Sequence, residues 1–439
     1  MRKILSAAAA LGVCFTLPAA AMAGAGMSNE QILKELEYLR NKAQAQQERI
    51  DALEAMVDKK VSAKVEEEVK KTGGGKVVLA NEFIDQLKLK GDLRVRYDIR
   101  DRDYKEGQGS DISRDRWRSR FRVGGVWENK GENWQVGAGL ATGDDPPTNA
   151  NDTWSEAKPF ETGDIRLDYA YAKHRWNDFA FTLGQAENPF KSSWVLWGSN
   201  VRQVGLTGQY GQKEGIFATL GGYGAKLVNE DNTATLVAGQ AGYNGKVGEA
   251  KYTLAAGYHT YSKSLINDGA GVASTDSRYA FNLSSVDKDK YELNIGDLYG
   301  DVSFPVGEVK LSLYGQIWQN FGADGNIGQS QAGSSFPKKP EDADMGWVFG
   351  ADAKYGAFKL GYAYSVVEAD SLFGYLSDSD FGDGLSTTNK KGHRVQLGYD
   401  LSKNWGTSFS WFGFERDEDY ASAKEDQVDI YQFDVSYKF

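Results

Sequence analysis

Cysteine is nearly absent from this chain of 439 residues, since Cys14 is the only one. That residue lies in a segment with the pattern of a secretory signal. Arg2 and Lys3 precede an apolar run that extends from Ile4 to Ala21, and we expect cleavage after Ala23. The chain that remains would contain neither a disulfide nor a reactive thiol.

Long apolar runs are also missing after residue 23, and no stretch there is long enough for a membrane helix. The mean hydropathy is −0.53. The net charge is −10, and removal of Arg2 and Lys3 with the signal makes it −12. A nucleic-acid partner is not expected for so acidic a chain.

Histidine is scarce and scattered, so the sequence offers no spacing typical of a metal site. The three histidines are His174, His259 and His393. The acidic group Glu415, Asp417 and Asp419 resembles a calcium-binding loop only loosely, and a solvated loop is the simpler interpretation. We therefore expect no metal, no cofactor and no catalytic group, and we predict that the protein is not an enzyme.

Residues 24–75 contain a heptad pattern, in which apolar side chains recur at steps of four and three. This spacing is typical of the seam of an α-helical coiled coil, which partner helices must bury. Gly73–Gly75 then breaks the helix. The alternative is an amphipathic helix that lies on the periplasmic rim of the following domain. The residues expected to form the oligomer contact are Ile32, Leu36, Leu39, Ile50, Leu53 and Val57.

The last nine residues, 431–439, alternate strictly between apolar and polar side chains and end on an aromatic ring. Side chains of a strand point alternately to its two faces, so this segment has one apolar and one polar face. A final strand of this kind is typical of outer-membrane barrels, which close against their first strand. We expect Tyr437 and Phe439 to carry this closure signal.

Sixteen candidate strands follow Leu87, and their connections alternate in length. Short turns are expected near 129–132, 176–178, 211–214, 305–307, 355–357 and 402–404. Long connections are expected at 101–113, 143–163, 185–200, 225–233, 262–290, 321–345, 368–391 and 415–426. The strands near Phe217 and Val237 are rich in glycine and alanine, which leaves their facing open. The pattern predicts an all-β transmembrane barrel of about 16 antiparallel strands over residues 76–439, with its long loops outside the cell.

Arginines alternate with apolar residues along the first two strands of this barrel. The apolar face must meet lipid, because an arginine there would cost roughly 2–4 kcal/mol at the bilayer midplane. The arginines should therefore face the lumen, where a residue of the 165–171 strand extends the row. The predicted pore-lining residues are Arg94, Arg96, Arg100, Arg116, Arg118, Arg120, Arg122 and Arg166.

Two interpretations of these arginines are open. Rings of basic residues favour anions in pores, so the row could give a mild anion preference or a transverse field that orients polar solutes. The alternative is that carboxylates such as Asp98, Asp115 and Asp168 pair with the arginines, which then only keep the lumen wet.

The segment 187–198 is too apolar for an ordinary exposed loop, and an apolar patch of this kind should be buried. Folding into the barrel would bury it and constrict the pore. The alternative is a lid packed on the rim or against a neighbouring subunit. The loop 143–163, with Pro146, Pro147 and Trp154, is a second candidate constriction. The constriction-loop candidates are Glu187, Phe190, Lys191, Trp194 and Trp197.

Several segments together resemble a known family. They are the basic first hairpin (91–123), the segments 164–171 and 183–190, and the terminal Phe439. The chain resembles the putative porin family of the Gram-negative outer membrane, and is similar to phosphate-selective and general-diffusion porins. The resemblance implies a 16-stranded barrel, passive diffusion, homotrimers and a periplasmic N-terminal coiled coil.

The sequence thus predicts a water-filled barrel in contact with membrane lipid, through which small hydrophilic solutes and ions diffuse passively. The alternative is an outer-membrane scaffold whose coiled coil binds periplasmic partners, or a sheath barrel that houses an electron-transfer protein.

Overall fold

The computed structural model describes residues 86–439 except 108, 130, 144–147, 155–158, 161–162, 212, 230–231, 268–290, 325–337, 383–386 and 420–424, together with nine positions between 38 and 51. The chain divides into two compact units, Met1–Asn81 and Glu82–Phe439. No helix among the described residues is long and apolar enough to cross a membrane.

The first unit is described at nine positions, which are all helical and exposed. Gln47 Nε2 donates to Asp51 Oδ1 at 3.0 Å, one helical turn further on. The predicted signal peptide lies outside the described residues, and so does the whole predicted seam, which leaves the coiled coil a prediction. The seam residues concerned are Ile32, Leu36, Leu39, Ile50, Leu53 and Val57.

The second unit is a β-structure in which apolar and polar residues alternate along most strands. The strands are β1 (Leu87–Tyr104), β2 (Ile112–Asn129), β3 (Trp134–Thr142), β4 (Asp152–Thr153), β5 (Ile165–Trp176), β6 (Phe179–Glu187), β7 (Arg202–Gly211), β8 (Gly215–Asn229), β9 (Asn232–Val247), β10 (Ala250–Tyr261), β11 (Asn294–Val306), β12 (Val309–Asn320), β13 (Met345–Tyr355), β14 (Phe358–Val367), β15 (Lys390–Asp400), β16 (Trp405–Arg416) and β17 (Glu425–Lys438). A five-residue helix, α1 (Lys263–Asn267), follows β10.

The sheet closes on itself, because β17 pairs antiparallel with β1. The strand β4 has two residues and pairs with β2 at Arg118 and Ser119, beyond the end of β3. The other sixteen of the seventeen strands form one closed antiparallel barrel, which confirms the predicted fold class and strand number. Closure pairs the backbone groups of both sheet edges, as a barrel in lipid requires.

The last residues of the chain stabilise the pairing of β17 with β1, which is the seam that closes the barrel. Gly91 and Phe439 exchange two backbone hydrogen bonds, of 3.0 and 3.1 Å. The Phe439 ring lies where a Cβ atom on Gly91 would be, so glycine is the residue that admits the ring. Tyr437 packs against Trp405 on the neighbouring strand, with 4.9 Å between ring centroids. The terminal aromatic residues therefore pack against the first and the penultimate strands.

The connections differ at the two rims. Seven of them have two to four residues and share one rim, which we call the turn end. Those at the other rim, the loop end, include the connections 143–164, 188–201 and 368–389. The predicted long connection at 225–233 is wrong, because β8 continues to Asn229 and β9 begins at Asn232. The segment is mostly polar, which is typical of a loop, yet its backbone continues the pairing of the two strands up to Asn229 and Asn232.

The two faces of the barrel differ in chemistry. Large apolar side chains are exposed on the outer face, such as Leu93, Trp117, Phe181 and Phe349. Exposed apolar side chains in such numbers fit a surface covered by lipid. Their neighbours in sequence point inward and include the arginines of β1 and β2.

Candidate functional site

Arginines of β1 and β2 stand side by side on the inner face. The antiparallel register places Arg94 opposite Arg120 and Arg96 opposite Arg118. Opposed Cα atoms in such a pair lie about 4.5–5.5 Å apart, so the fold brings like charges together. We call these residues the arginine wall, which comprises Arg94, Arg96, Arg100, Arg116, Arg118, Arg120 and Arg122.

The local sequence explains why this face turns inward. Trp117 and Phe121 lie between the arginines of β2, and they are 50% and 38% exposed on the outer face. A shift of the register by one residue would move those rings into the lumen and the arginines into lipid. The period of two and the apolar outer face thus fix where the guanidinium groups lie.

Carboxylates on the strands neutralise part of the positive charge of the arginine wall. Asp92 accepts hydrogen bonds from Arg120 Nη2 at 2.8 Å and Arg122 Nε at 2.7 Å. Asp98 accepts one from Arg116 Nε at 2.7 Å. Like charges that face each other across strands are destabilising unless counter-charges intervene, and these acids intervene within the sheet itself.

The strand β17 supplies the third of these carboxylates. Asp434 lies opposite Arg96 and accepts from its Nε at 2.7 Å and its Nη2 at 2.9 Å. Such a two-fold contact between a guanidinium and a carboxylate is among the stronger hydrogen-bond arrangements in proteins. Arg94 Nη1 also reaches Asp434, at 3.5 Å.

Two loops reach the arginine wall from the loop end. Asn149 accepts a hydrogen bond from Arg118 Nη2 at 3.0 Å, and Asn151 accepts one from Arg94. Asp380, on the connection between β14 and β15, accepts from Arg96 Nη1 at 2.8 Å. The Arg118 guanidinium lies 3.6 Å from the same carboxylate. Arg96 and Arg118 are each 5% exposed, so these loops cover the centre of the wall.

The charge of Asp380 depends on these contacts. Burial alone would raise the pKa of this carboxyl, but the charges of Arg96 and Arg118 and the hydrogen bond from Arg96 hold it below its usual range. The neighbouring Asp378 behaves oppositely, since burial and the charge of Asp380 raise its pKa. Asp380 is therefore ionised at neutral pH, and it faces the central arginines together with Asp434.

The carboxylates that were expected to pair with the wall are only partly those found there. Asp98 does so, but Asp115 accepts a hydrogen bond from Tyr97 at 2.9 Å and Asp168 lies 3.4 Å from Arg202. Arg166 lies opposite Ala141, which itself lies opposite Arg122. Arg166 thus shares a row with the wall, one strand away from it.

The carboxylates that sequence reasoning missed are Asp92, Asp380 and Asp434. Asp92 and Asp434 stand on the polar face of alternating strands, so the period of two could have placed them inside. The contact of Asp380 with Arg96 joins residues 284 positions apart, and nothing in the loop sequence indicates it.

The connection 188–201 runs inside the barrel. The Lys191 backbone exchanges two hydrogen bonds with the Gln240 side chain, of 2.7 and 2.8 Å. Ser193 N donates to Gln316 Oε1 at 2.7 Å. Both glutamines lie in the interior of their strands, β9 and β12. The loop is therefore held against the inner wall well below the rim.

Aromatic rings of this loop pack on the inner wall. Phe190 and Trp197 are 6% and 4% exposed, and their centroids lie 6.2 and 5.5 Å from that of His259. His259 Nε2 is 3.2 Å from Asp297, which also accepts a hydrogen bond from Gln316 at 2.8 Å. Gln316 thus links the loop backbone to a buried polar network.

The remaining constriction candidates differ from these two rings. Trp194 is partly buried and donates from Nε1 to the Tyr314 hydroxyl at 3.1 Å. The Lys191 residue is exposed, and Glu187 ends β6. In the second candidate loop, Trp154 stacks on the outward Trp117 at 6.3 Å. Pro146 and Pro147 lie outside the described residues.

Three loops meet at Thr148. Asn200 Nδ2 and Ser379 Oγ both donate to the Thr148 carbonyl oxygen, at 2.9 and 3.5 Å. Gly198 N donates to Leu376 O at 2.6 Å, which joins two of the loops directly. The described residues of the connections 143–164, 188–201 and 368–389 therefore pack together, and we call these residues the loop plug.

Apolar side chains fill the space between the loop plug and the strands. The cluster joins loop residues to inward residues of β8–β14, β16 and β17. It includes Val195, Leu196, Leu372, Phe373, Phe381, Leu236, Trp318, Val348, Phe412, Phe414, Val428 and Ile430. The loop-end half of the lumen therefore contains a hydrophobic core that reaches β17 beside β1, and none of its described strand residues belongs to β1–β7.

The turn-end half is polar. A recess of about 310 Å³ opens there between β1, β3 and β5–β7. Two of its lining residues are hydrogen-bonded, since Lys173 Nζ donates to Gln209 Oε1 at 2.9 Å. It is lined by Lys90, Gln135, Tyr169, Tyr171, Lys173, Thr182, Ala186, Glu187, Asn188, Pro189, Thr207 and Gln209.

Among the residues that the structure describes, no group of three or more His, Cys, Asp or Glu side chains is arranged to hold a metal ion. In the acidic segment that resembles a calcium loop, Glu415 lies 3.6 Å from Lys391 and Asp419 pairs with Lys105.

Comparison with solved structures returns porins. OprB of Pseudomonas putida has a TM-score of 0.52 at 10% identity, over 82% of this chain and 96% of that one. The anion-selective porin of Comamonas acidovorans has a TM-score of 0.44 at 14% identity, over 80% and 99%. OmpT of Vibrio cholerae has a TM-score of 0.42 at 12% identity, over 80% of this chain and 97% of that one. The likeness to OprB concerns the fold.

No curated protein matches the sequence. Residues 104–285 match the family described as "Putative porin", and this range extends from the end of β1 to the connection after β10. It contains the whole of β2 with its five arginines, and the connection 188–201. The resemblance inferred from the sequence is thereby confirmed: over residues 104–285 this chain is similar to the putative porin family.

Proposed function

We propose that this protein is a porin of the Gram-negative outer membrane, through which small hydrophilic solutes and ions diffuse passively. The observation that carries the proposal is a closed barrel with an apolar outer face and arginines on its inner face. Barrels of sixteen strands enclose a lumen too wide for wall side chains to fill. The family match over residues 104–285 supports the same function.

The proposed passage runs along the side of the barrel that carries the arginine wall, because the described strand residues of the hydrophobic core belong to β8–β14, β16 and β17. Five arginines of the wall share three carboxylates, those of Asp92, Asp380 and Asp434, which leaves an excess of positive charge. Positive rings favour anions, so we propose a mild anion preference. The five are Arg94, Arg96, Arg118, Arg120 and Arg122.

Planar bilayers under a potassium chloride gradient test both parts. The protein should give stepwise conductance. Its reversal potential should have the sign expected when chloride is more permeant than potassium. The double substitution Arg118→Ala and Arg120→Ala should lower the chloride-to-potassium permeability ratio, by about twofold for each charge removed near the ion path. The matched control removes two charges at the turn end, by Arg175→Ala and Lys310→Ala.

The two parts of the proposal fail differently in this experiment. A double variant with wild-type selectivity contradicts the anion preference and leaves the channel intact. A wild-type protein that gives no conductance, and no swelling of liposomes in small sugars, contradicts the porin function itself.

The packing of the loop plug argues against the alternative of a sheath for an electron-transfer protein. Its loops and the hydrophobic core occupy the space that a second protein would need. Liposome swelling separates the alternatives, since a sheath closed by its cargo would pass no small sugar.

We further propose homotrimers held by a periplasmic coiled coil at residues 24–75, since the heptad seam needs partner helices. The mass in mild detergent should be three times that of the monomer for the full chain and should fall when residues 24–75 are removed. A monomeric mass for the full chain contradicts this assembly.

A further inference from the structure

The polar recess of the turn-end half contains two lysines whose charge no carboxylate neutralises among the described residues. Lys90 Nζ lies 5.7 Å from the centroid of the Tyr169 ring, and Lys173 Nζ donates to the neutral Gln209 side chain at 2.9 Å. The ion pairs of the described lysines include neither of them. Glu187 is the one acidic residue of the described lining, so an excess of positive charge faces the recess.

Glycines on β3 allow two tyrosine rings to lie along the inner wall of the recess. Tyr169 on β5 lies opposite Gly139, where a Cβ atom would be 2.4 Å from its ring. Tyr171 lies opposite Gly137, where a Cβ atom would be 2.6 Å from its ring. The two ring centroids are 6.0 Å apart. The recess therefore offers two adjacent aromatic surfaces to a solute.

Neutral side chains complete the lining. Gln135 lies opposite Lys173 and makes no side-chain hydrogen bond with the described residues. Asn188 accepts a hydrogen bond from Phe190 N through its Oδ1 atom at 3.1 Å, which leaves its NH2 group available. Amide groups both donate and accept hydrogen bonds, so they suit the hydroxyl groups of a solute.

The two lysines are too far apart to hold one small inorganic anion. Lys90 lies in the same row as Tyr169, three strands away from it. Lys173 lies two inward positions further along β5 than Tyr169. At about 4.8 Å per strand and about 6.8 Å per inward position, the two lysine Cα atoms are about 20 Å apart. Their ammonium groups therefore mark the two ends of an elongated recess that the tyrosine rings line.

We propose that this recess binds an acidic disaccharide, a pair of linked uronic acids, with one sugar ring against each tyrosine and one carboxylate toward each lysine. The inference names the solute of the proposed porin, and in that respect it rests on the proposed function. Contacts between ammonium and carboxylate groups are among the stronger hydrogen bonds, and the tyrosine rings supply rigid apolar surface. The volume of about 310 Å³ falls at the lower end of the range for ligand sites, about 300–1,000 Å³, as expected for a small solute.

Calorimetry on the full chain in detergent tests the binding, with digalacturonate as the probe. Digalacturonate should bind at least about tenfold more tightly than the neutral disaccharide maltose, because each carboxylate adds a charge-assisted contact. It should bind at least about threefold more tightly than terephthalate, which carries two carboxylates but no hydroxyl groups for the amides. Equal affinity for maltose or for terephthalate would overturn the assignment.

Substitutions assign the contacts to residues. Lys173→Gln should weaken digalacturonate binding at least about tenfold, and the exposed Lys90→Gln should do the same. The control Lys310→Gln removes a turn-end lysine of β12 that does not line the recess, and it should bind as the wild type does. Tyr171→Leu should weaken binding about threefold or more, whereas Tyr171→Phe keeps the ring and should retain wild-type affinity. Wild-type affinity in both recess-lysine variants, or an equal loss in Lys310→Gln, would overturn the site.

The outcomes separate this inference from the channel itself, because calorimetry does not require conductance. Conductance without digalacturonate binding overturns the site and leaves the porin standing. Binding without conductance contradicts the porin and supports the site. In planar bilayers, digalacturonate should reduce the current of the wild type and have less effect on Lys173→Gln, and an equal reduction in both would overturn the site.

Discussion

Asp370 places a carboxyl group inside a junction of the loops that follow β10, β12 and β14. Its N–H donates to Ala343 O at 2.7 Å, and Asn320 Nδ2 donates to its carbonyl oxygen at 3.0 Å. The Tyr291 hydroxyl donates to its Oδ1 at 3.0 Å. The residue is 7% exposed, so an ionised carboxylate would have little contact with water.

Burial raises the pKa of Asp370 from its ordinary value of 3.8 to about 8; the charge of Asp344 adds to the rise, and the Tyr291 hydrogen bond opposes it. Burial likewise raises the pKa values of the nearby Asp344 and Glu368, while Lys338 stands 3.9 Å from Glu368. The packed junction therefore holds the Asp370 proton more tightly than an open loop does.

The sign of the pH effect follows from this difference. Below about pH 4 the carboxyl is protonated whether the junction is packed or open, so its burial carries no penalty from ionisation. Between about pH 4 and pH 8 only the open loop loses the proton, and packing weakens by about 1.4 kcal/mol per pH unit. The upper limit of the loss is about 6 kcal/mol above pH 8.

Hydrogen exchange of the amides at 343–345 and 368–372, corrected for the intrinsic effect of pH, measures this packing. We expect protection to fall between pH 5 and pH 9 in the wild type. Asp370→Asn cannot ionise and should stay protected at pH 9, whereas the exposed Asp342→Asn should follow the wild type. An identical pH profile for wild type and Asp370→Asn would refute the reasoning.

Two further substitutions test the closure and the inward loop. Gly91→Val should destabilise the barrel by about 1–3 kcal/mol, because its side chain meets the Phe439 ring and the Arg122 carbonyl oxygen, while Gly222→Val has open space and serves as the control. Unfolding in guanidinium compares the two variants, and equal loss of stability in both contradicts the account of the seam. Gln316→Leu leaves the Ser193 N–H without its acceptor, at about 1–3 kcal/mol, and should raise the noise of the open channel. Wild-type noise in that variant would show that this contact does not hold the loop.

Most of the fold could be predicted, because apolar and polar side chains alternate along the strands of a barrel. The outer face must be apolar and the inner face polar, so residues such as Arg94 and Leu93 reveal their sides by position alone. The prediction at 225–233 was wrong because this segment is mostly polar and was interpreted as a loop. The pairing of β8 with β9 continues through it as far as Asn229 and Asn232.

The site could be predicted only in part, because its contacts are of two kinds. Strand contacts follow from alternation and register, which is why the rows of Arg96 and Arg118 were found and Asp434 could have been. Loop contacts such as Asp380 with Arg96 depend on how three loops pack together. The apolar character of 188–198 indicated burial, but its sequence did not reveal that Gln240 and Gln316 would hold it.

The central claim is that the arginines border water while their neighbours in sequence border lipid. Arg120→Cys and Phe121→Cys are adjacent in sequence and lie on opposite faces of β2, where Phe121 is 38% exposed. A water-soluble thiol reagent applied during bilayer recording should reduce the current of Arg120→Cys and leave that of Phe121→Cys unchanged. Reduction of the Phe121→Cys current with an unaffected Arg120→Cys would contradict the account.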